Sequence, residues 1–176
     1  SVSSVITTTG YCTENFDLWP EFSRVILVLL MLVGACAGST GGGLKVSRLV
    51  ILVKAMGNEV RMLIRPHTVK VITIDSKRVD ADAVRAVSSY FLIYVLLTVA
   101  SILLVSLDNF DASTTITAVF ATFNNIGPGL GLVGPVGNFA MFSPLSKIVL
   151  TLDMLFGRLE LYPMLVLLYP GTWKRK

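Results

Sequence analysis

The sequence AVSSYFLIYVLLTVASILLVSL, residues 86–107, carries no charged side chain from end to end. About 20 consecutive apolar residues are enough for an α-helix to cross the roughly 30 Å hydrocarbon core of a bilayer. The whole chain has the same character, with 53% hydrophobic and 15% charged residues, whereas soluble domains contain about 25% charged residues. We therefore predict an all-α integral membrane protein with a few spans and no soluble domain of useful size.

Two further apolar stretches flank this helix. The first covers residues 22–37 and resumes over residues 44–64, where the sequence is amphipathic and basic. The second covers residues 144–169 and is interrupted by four charged residues, namely Lys147, Asp153, Arg158 and Glu160. No signal peptide precedes the first stretch, and the chain opens at Ser1 in the middle of a pattern, so we interpret it as a fragment of a longer protein.

The basic residues are distributed unevenly along the chain. They cluster between the first and second spans and after the third span, whereas residues 1–23 and 108–146 contain no Lys or Arg. The positive-inside rule then places residues 45–85 and the C-terminus in the cytoplasm and the two acidic segments outside. The net charge of +4 is explained by this topology, and we expect no nucleic-acid partner.

The cytoplasmic link contains a candidate hairpin. Residues 68–74 alternate and are rich in β-branched side chains, residues 75–77 can form a turn, and Val79 begins the return strand. Asp80 or Asp82 is then expected to cap a helix that begins near Ala83.

The chain contains an internal repeat. SRVILVLLMLVG at residues 23–34 aligns without gaps on SKIVLTLDMLFG at residues 146–157, with half of the positions identical. Each copy follows a polar cluster with a glycine, VITTTGY before the first and TFNNIGPGLG before the second. Residues 111–123, upstream of the second cluster, are predicted to form a helix with Asp111 or Ser113 as N-cap. At about 20 Å, this helix is too short to span the membrane and must return, so its polar turn lies at membrane depth. Non-helical backbone is tolerated there only where it is buried in protein or lines a water-filled path.

The predicted unit is therefore a span, a re-entrant helix, a polar glycine loop and a second span. The chain holds one complete unit at residues 83–170 and the second half of a preceding unit at residues 1–64, joined by a link at residues 65–82 and followed by a tail at residues 171–176. One and a half units cannot close a pore, so we expect the remaining units to come from missing sequence or other chains.

Four motifs in one order carry a resemblance to a known family: TTTGY at residues 7–11, AGSTGGGLK at residues 37–45, NNIGPGL at residues 124–130 and GRLE at residues 157–160. Over nearly its whole length the chain resembles the TrkH membrane subunits of the Trk/Ktr/HKT potassium-transporter superfamily, in their third and fourth pore repeats. The resemblance implies a fold in which four non-identical repeats surround one potassium-channel-like pore with four-fold pseudo-symmetry. It also implies a homodimer in the lipid of the bacterial inner membrane, a cytoplasmic nucleotide-binding regulatory subunit, and potassium as transported substrate without a cofactor.

The resemblance implies that two loops line a selectivity filter: Thr7, Thr8, Thr9, Gly10 and Tyr11 in one repeat, and Asn124, Asn125, Ile126, Gly127 and Pro128 in the other. Potassium would be bound by backbone carbonyls of Thr8, Thr9, Asn125 and Ile126. The chemistry agrees, because carbonyl oxygens replace the hydration shell of the ion and glycine permits the backbone turn that this requires. For TTTG alone, a capped helix end is the alternative interpretation.

The glycine-rich break is the second candidate functional element and comprises Gly38, Ser39, Thr40, Gly41, Gly42 and Gly43. Each glycine costs a helix up to about 1 kcal/mol, so a flexible loop is expected here. A phosphate loop has the same glycine spacing, but Leu44 occupies the position of its lysine. The resemblance implies an intramembrane gate below the filter, with Arg158 facing the pore and bonding Ser39 or Thr40. The alternative for Arg158 is an ion pair with Glu160 or Asp153.

We expect potassium uptake through a gated pore, and the sequence leaves passive and ion-coupled transport both open. The alternatives are an intramembrane enzyme and a structural membrane scaffold. A rhomboid-like protease needs a Ser–His pair, but His67, the single histidine of the sequence, lies in the predicted cytoplasmic link. An aspartyl protease needs two intramembrane Asp residues, and Asp153 stands alone in its span.

Overall fold

The structure is a computed structural model that describes residues 1–34, 41–64, 72–74, 77–159, 163, 164 and 166. Six α-helices are present in these residues: α1 (Val2–Ile6), α2 (Glu21–Leu32), α3 (Val46–Ile64), α4 (Ala81–Val105), α5 (Ala112–Phe123) and α6 (Pro144–Leu159). Short 3-10 turns lie at Phe16–Leu18, Ser106–Asp108 and Gly131–Val133. The predicted helical class is confirmed, with a small hairpin as the described exception.

Helix α4 is the helix predicted at residues 86–107. With its 3-10 extension it covers Ala81–Asp108, and an 18-residue window within it has a mean hydropathy of 2.5. It is the one helix in the described ranges that is long and apolar enough to cross a membrane. Asp80 occupies the N-cap position, but its side chain makes no capping hydrogen bond. Asp82 instead pairs with Arg85 one turn on, at 3.6 Å. The predicted N-cap position of Asp80 is therefore confirmed, but the predicted capping hydrogen bond is not formed.

Helix α2 ends earlier than the sequence predicts. The apolar pattern runs to Ala37, whereas the helix stops at Leu32 and Val33 adopts an extended conformation. Val33 forms a parallel β-bridge with Leu44, and the Gly34 N–H donates to the Leu44 carbonyl at 2.8 Å. These bonds join the residues just before the interruption to Leu44 just after it, so the two ends of the interruption lie side by side. Residues 35–40 lie outside the described residues.

Helix α5 is the predicted short helix, and at 12 residues it is about 18 Å long. Asp111 is its N-cap and accepts a hydrogen bond from the Ser113 N–H at 3.1 Å. The Ser113 hydroxyl, followed by this N–H, holds the pKa of Asp111 below its ordinary value. The helix packs against α2, α4 and α6. Its buried threonines Thr117 and Thr122 donate to carbonyls of their own helix.

The link between α3 and α4 forms a shorter hairpin than predicted, and its second strand begins within the predicted turn and ends before Val79. Strand β1 (Thr73–Ile74) pairs antiparallel with β2 (Lys77–Arg78) in the register Thr73 to Arg78. The Lys54 ammonium donates to the Thr73 carbonyl at 2.7 Å and ties α3 to the hairpin. Residues 65–71 and 75–76, which include most of the predicted first strand and the turn, lie outside the described residues.

Helix α6 turns a polar group toward α4. Asp153 is 3% exposed, and its Oδ1 accepts a hydrogen bond from the Ser101 hydroxyl at 2.7 Å. Its Oδ2 has no hydrogen-bond partner among the residues that the structure describes. The ion pair of Asp153 with Arg158, considered from the sequence, is therefore not formed. Glu160, the other partner considered, and residues 171–176 of the tail lie outside the described residues.

Replacing Ser101 with alanine is expected to lower the free energy of unfolding by about 1–3 kcal/mol, because it leaves a buried carboxyl group without a donor. Asp153→Asn keeps an acceptor oxygen and is expected to cost less. Thermal unfolding of the assembled membrane protein in detergent measures both effects. Ser88→Ala is the matched control, since that exposed hydroxyl bonds only within α4, to the Val84 carbonyl. Equal melting temperatures for Ser101→Ala and Ser88→Ala would contradict a stabilising role for the hydrogen bond between Ser101 and Asp153.

Candidate functional site

The candidate site is built from two loops that follow short helices. We name residues 7–11, after α1, the first glycine loop, and residues 124–128, after α5, the second glycine loop. In the first, four amides bond back to the helix: Thr7 to Ser3 at 3.0 Å, Thr8 to Val5 at 3.2 Å, Thr9 to Ser4 at 2.9 Å and Gly10 to Ser4 at 3.4 Å. In the second, the equivalent bonds join Asn124 to Phe120 at 3.1 Å, Asn125 to Thr122 at 3.0 Å, Ile126 to Ala121 at 2.8 Å and Gly127 to Ala121 at 3.3 Å. The two loops therefore share one hydrogen-bond pattern.

The two loops also share an uncommon backbone conformation. Thr8 and Asn125 have φ values of 56° and 54°, and Gly10 and Gly127, two positions later, have φ values of 80° and 105°. A left-handed residue is costly for a β-branched side chain such as Thr8 and persists only where its surroundings hold it. Each loop thus has one residue with a left-handed residue on either side of it. This arrangement interrupts the alternation of carbonyl directions that an extended chain normally has. The loops therefore have a backbone in which successive carbonyls can turn to one side.

The fold brings the two loops into contact. A Cβ atom on Gly10 would overlap the Ile126 carbonyl oxygen and lie 3.3 Å from Cδ of Pro128. Behind this contact, Val5 of α1 and Ile126 belong to one buried hydrophobic cluster, which also contains Leu27 of α2. The Thr7 and Thr9 hydroxyls are 2.8 Å apart, and Tyr11 is 84% exposed. The backbone of Gly10 therefore lies directly against the backbone of Ile126, beside the Pro128 ring.

The described end of the glycine-rich break lies against the second glycine loop. Cβ atoms on Gly42 and Gly43 would collide with the backbone and the side chain of Asn124, respectively, and Gly43 has a φ of 82°. Gly41 is also described, whereas Gly38, Ser39 and Thr40 lie outside the described residues. The candidate gate and the candidate filter are therefore in direct contact at Asn124.

Arg158 lies in the last turn of α6, next to a close helix–loop contact. A Cβ on Gly157 would overlap the Phe123 carbonyl, and the Asn125 side-chain amide donates to the Met154 carbonyl at 3.0 Å. This turn of α6 therefore supports the start of the second glycine loop. The predicted contacts of Arg158 with Ser39 or Thr40 fall on residues that are not described.

The electrostatics of the site favour a cation. The C-terminal ends of α1 and α5 point into the loops, and a helix C-terminus carries a partial negative charge. The segments around both loops contain no Lys or Arg, and they include the carboxylates of Asp17, Asp108 and Asp111. The described residues contain no group of three His, Cys, Asp or Glu side chains that could hold a metal ion.

Sequence reasoning identified Asp17 only as part of an acidic segment and missed its structural role. Its Oδ1 accepts a hydrogen bond from the Gly131 N–H at 3.0 Å, which ties the turn before α2 to the segment that follows the second glycine loop. The partners are more than a hundred residues apart in sequence, so no local pattern could have indicated the bond.

Known proteins resemble this chain in both sequence and fold. The family model for the cation transport protein TrkH matches residues 1–171. The Trk system potassium uptake protein TrkH of Salmonella typhimurium is 39% identical over 173 residues, which cover 98% of this chain and 35% of that protein. The Trk system potassium uptake protein TrkG of Escherichia coli is 33% identical over 98% of this chain and 35% of its own length. The crystal structure of the potassium transporter TrkH from Vibrio parahaemolyticus superposes with a TM-score of 0.86 at 38% identity, over 97% of this chain and 36% of that chain. The chain thus spans about a third of the length of the relatives it matches.

Proposed function

The chain belongs to the TrkH family of cation transport proteins, and from that premise we propose that it forms part of a potassium uptake pathway in which the two glycine loops are two segments of a four-part selectivity filter. One observation carries the proposal. The loops repeat the same four backbone hydrogen bonds and the same two left-handed positions, and they meet backbone to backbone. Two copies of one strained loop in contact are expected where a pseudo-symmetric pore places them around one axis.

The proposed architecture has span, re-entrant helix, filter loop and span in each repeat. Residues 1–64 supply the second half of the third repeat, and residues 83–170 supply the fourth repeat. The chain spans about a third of the length of its relatives, and the other repeats would be supplied by the remainder of the transporter. In support, α4 has the length and hydropathy of a spanning helix, whereas α5 is too short to span.

The proposed binding sites for potassium are the backbone carbonyls of Thr8 and Thr9 in one loop and of Asn125 and Ile126 in the other. These carbonyls replace water around the ion, and the helix ends behind them add partial negative charge. Thr7, Gly10 and Tyr11, with Asn124, Gly127 and Pro128, would hold the loops in this conformation. Potassium is the substrate of this pathway, and the chain needs no cofactor to bind it.

The proposed gate is the glycine-rich segment at residues 38–43 together with Arg158. The contact of Gly42 and Gly43 with Asn124 supports a position next to the filter. The bridge between Val33 and Leu44 supports a loop whose two ends are held together. A guanidinium group near the ion path would oppose cations until the loop moves.

The enzyme and scaffold alternatives receive less support. The match to a family of transport proteins over almost the whole chain favours a transporter over an enzyme. A scaffold gives no reason for two strained loops with the same bonding. The relatives are bacterial proteins named for a Trk system of potassium uptake, which supports a bacterial inner-membrane location and work alongside other components of such a system. The homodimer and the cytoplasmic nucleotide-binding regulatory subunit are proposed from the family resemblance of the motifs.

The test of the function is potassium flux into lipid vesicles that contain the assembled transporter of which this chain is a part. We expect potassium-dependent uptake that sodium does not replace at equal concentration. Uptake of potassium no faster than in vesicles without protein would contradict the proposal. Hydrolysis of peptide substrates under the same conditions would favour the enzyme alternative.

The topology gives a separate prediction. With native cysteines replaced, Arg78→Cys is expected to react with a membrane-impermeant thiol reagent only from the cytoplasmic side, and Val136→Cys only from outside. Both positions are exposed, so the labelling depends on sidedness and not on burial. The measurement compares right-side-out with inside-out vesicles. The reverse pattern would overturn the orientation and the assignment of the gate to the cytoplasmic side of the filter.

A further inference from the structure

A tyrosine on the long helix α4 is bonded to the second glycine loop. Tyr94 is 3% exposed, and its hydroxyl donates to Oδ1 of Asn124 at 3.0 Å. Asn124 is 1% exposed, and its side-chain Nδ2 donates to the Phe120 carbonyl at 2.9 Å. The amide group of Asn124 therefore connects the end of α5 to α4.

Packing fixes the position of the tyrosine. The Tyr94 ring meets the Phe123 ring edge to face, with centroids 4.9 Å apart and planes at 84°. Both rings share a buried cluster with Leu44, the residue that follows the glycine-rich break, and with Tyr90. The Arg48 guanidinium lies over the Tyr90 ring, 4.0 Å from its centroid. A rigid aromatic group thus holds the hydroxyl in place, because interlocked side chains leave little room for another rotamer.

The bond acts where the loop backbone is strained. Asn125, the next residue, is left-handed with a φ of 54°, and such a conformation persists only when its surroundings over-determine it. In the first glycine loop, Thr7 is the equivalent of Asn124, and its hydroxyl bonds to the Ser3 carbonyl of the preceding helix at 2.8 Å. The second loop therefore has a support from a separate helix at a position where the first loop bonds within its own segment.

We propose that Tyr94 is a positioning residue that holds the second glycine loop in its ion-selective conformation through the side chain of Asn124. This inference rests on the proposed filter function. Tyr94 does not touch the ion path itself, and its effect is transmitted by one hydrogen bond to a buried amide. Loss of the hydroxyl would leave the buried Asn124 oxygen without this donor, which favours other conformations of the loop.

The test is the ratio of potassium to sodium flux in vesicles that contain the assembled transporter with Tyr94→Phe. This change keeps the ring and its packing and removes the donor. We expect the ratio to fall by roughly three- to tenfold, which is the range that loss of one hydrogen bond produces in an equilibrium. Asn124→Thr, which gives the second loop the residue of the first, removes the acceptor and is expected to lower the ratio similarly.

The double variant shows whether the two residues act together. If Tyr94 acts through Asn124, the variant with both changes is expected to match Asn124→Thr alone and not to show the product of the two effects. Ser88→Ala, a hydroxyl deletion elsewhere on α4, is the control and should leave the ratio unchanged. A ratio unaltered by Tyr94→Phe, a product of independent effects in the double variant, or an equal fall with Ser88→Ala would each overturn the inference.

The glycine variants separate this inference from the proposed function. If Gly10→Ala and Gly127→Ala lower the ratio but Tyr94→Phe and Asn124→Thr do not, the filter assignment stands and only the role of Tyr94 is wrong. If none of the four variants alters the ratio, the filter assignment fails, and the positioning role fails with it.

Discussion

Replacing Gly10 with alanine is expected to remove most of the selectivity for potassium over sodium, and Gly127→Ala is expected to have the same effect to a smaller extent. Both glycines have a φ in the region that L side chains rarely adopt, 80° and 105°, where a Cβ costs about 1–2 kcal/mol. At Gly10 the Cβ would also overlap the Ile126 carbonyl, whereas nothing lies within 4 Å of a Cβ on Gly127. Gly10→Ala therefore displaces both loops, and Gly127→Ala strains one.

The measurement is the flux of potassium and of sodium into vesicles, with the amount of folded protein held equal. Gly57→Ala is the matched control, because a Cβ at this helical position meets no atom within 4 Å and its selectivity should equal that of the parent. Unchanged selectivity in both loop variants would remove the two loops from the ion pathway. A larger loss of selectivity with Gly127→Ala than with Gly10→Ala would show that the contact between the loops is not what makes Gly10 important.

The elements that the sequence predicts well are those with a local physical cause. The apolar run of α4, the length of α5 and its cap at Asp111 each depend on residues within a few turns of each other. The interruption after α2 follows in the same way from consecutive glycines. The left-handed glycines were expected from the residue type.

The features that the sequence could not predict depend on partners far along the chain. Helix α2 stops at Leu32 although its apolar pattern continues, because Val33 finds a bridge partner in Leu44. The bond of Tyr94 to Asn124 joins two segments that periodicity treats separately. Thr8 is left-handed against the local preference of a β-branched residue, so its conformation follows from the loop and not from its own side chain.

The contact at Asn124 has a consequence for the gate. Gly42 and Gly43 lie against the residue that begins the second glycine loop and accepts the bond from Tyr94. A rearrangement of the glycine-rich segment would therefore alter the packing around Asn124 in the proposed filter, and the two proposed elements need not act independently. Deleting residues 41–43 is expected to raise basal flux and also to lower selectivity, since the deletion removes packing from Asn124.

Arg158→Ala is the cleaner test of the gate, and it is expected to raise basal potassium flux without a comparable loss of selectivity. A unit charge about 8 Å from an ion opposes it by about 2 kcal/mol at an effective dielectric constant of about 20. If the guanidinium lies at about that distance from the ion, its removal corresponds to about a 30-fold rise in rate. Loss of the guanidinium also removes any hydrogen bond to the glycine-rich segment, so both effects raise the flux and weaken control by a cytoplasmic subunit.

Two further variants separate charge from bonding. Arg158→Lys keeps the positive charge but not the planar donor fork of the guanidinium, so flux close to the parent indicates a charge barrier, and flux close to that of Arg158→Ala indicates a bonded latch. Arg85→Ala is the control, because Arg85 is an exposed residue at the start of α4 that pairs with Asp82. The measurement is unidirectional flux in the absence and presence of the cytoplasmic subunit. If Arg158→Ala reaches the membrane folded and conducts no faster than Arg85→Ala, Arg158 is not part of the proposed gate.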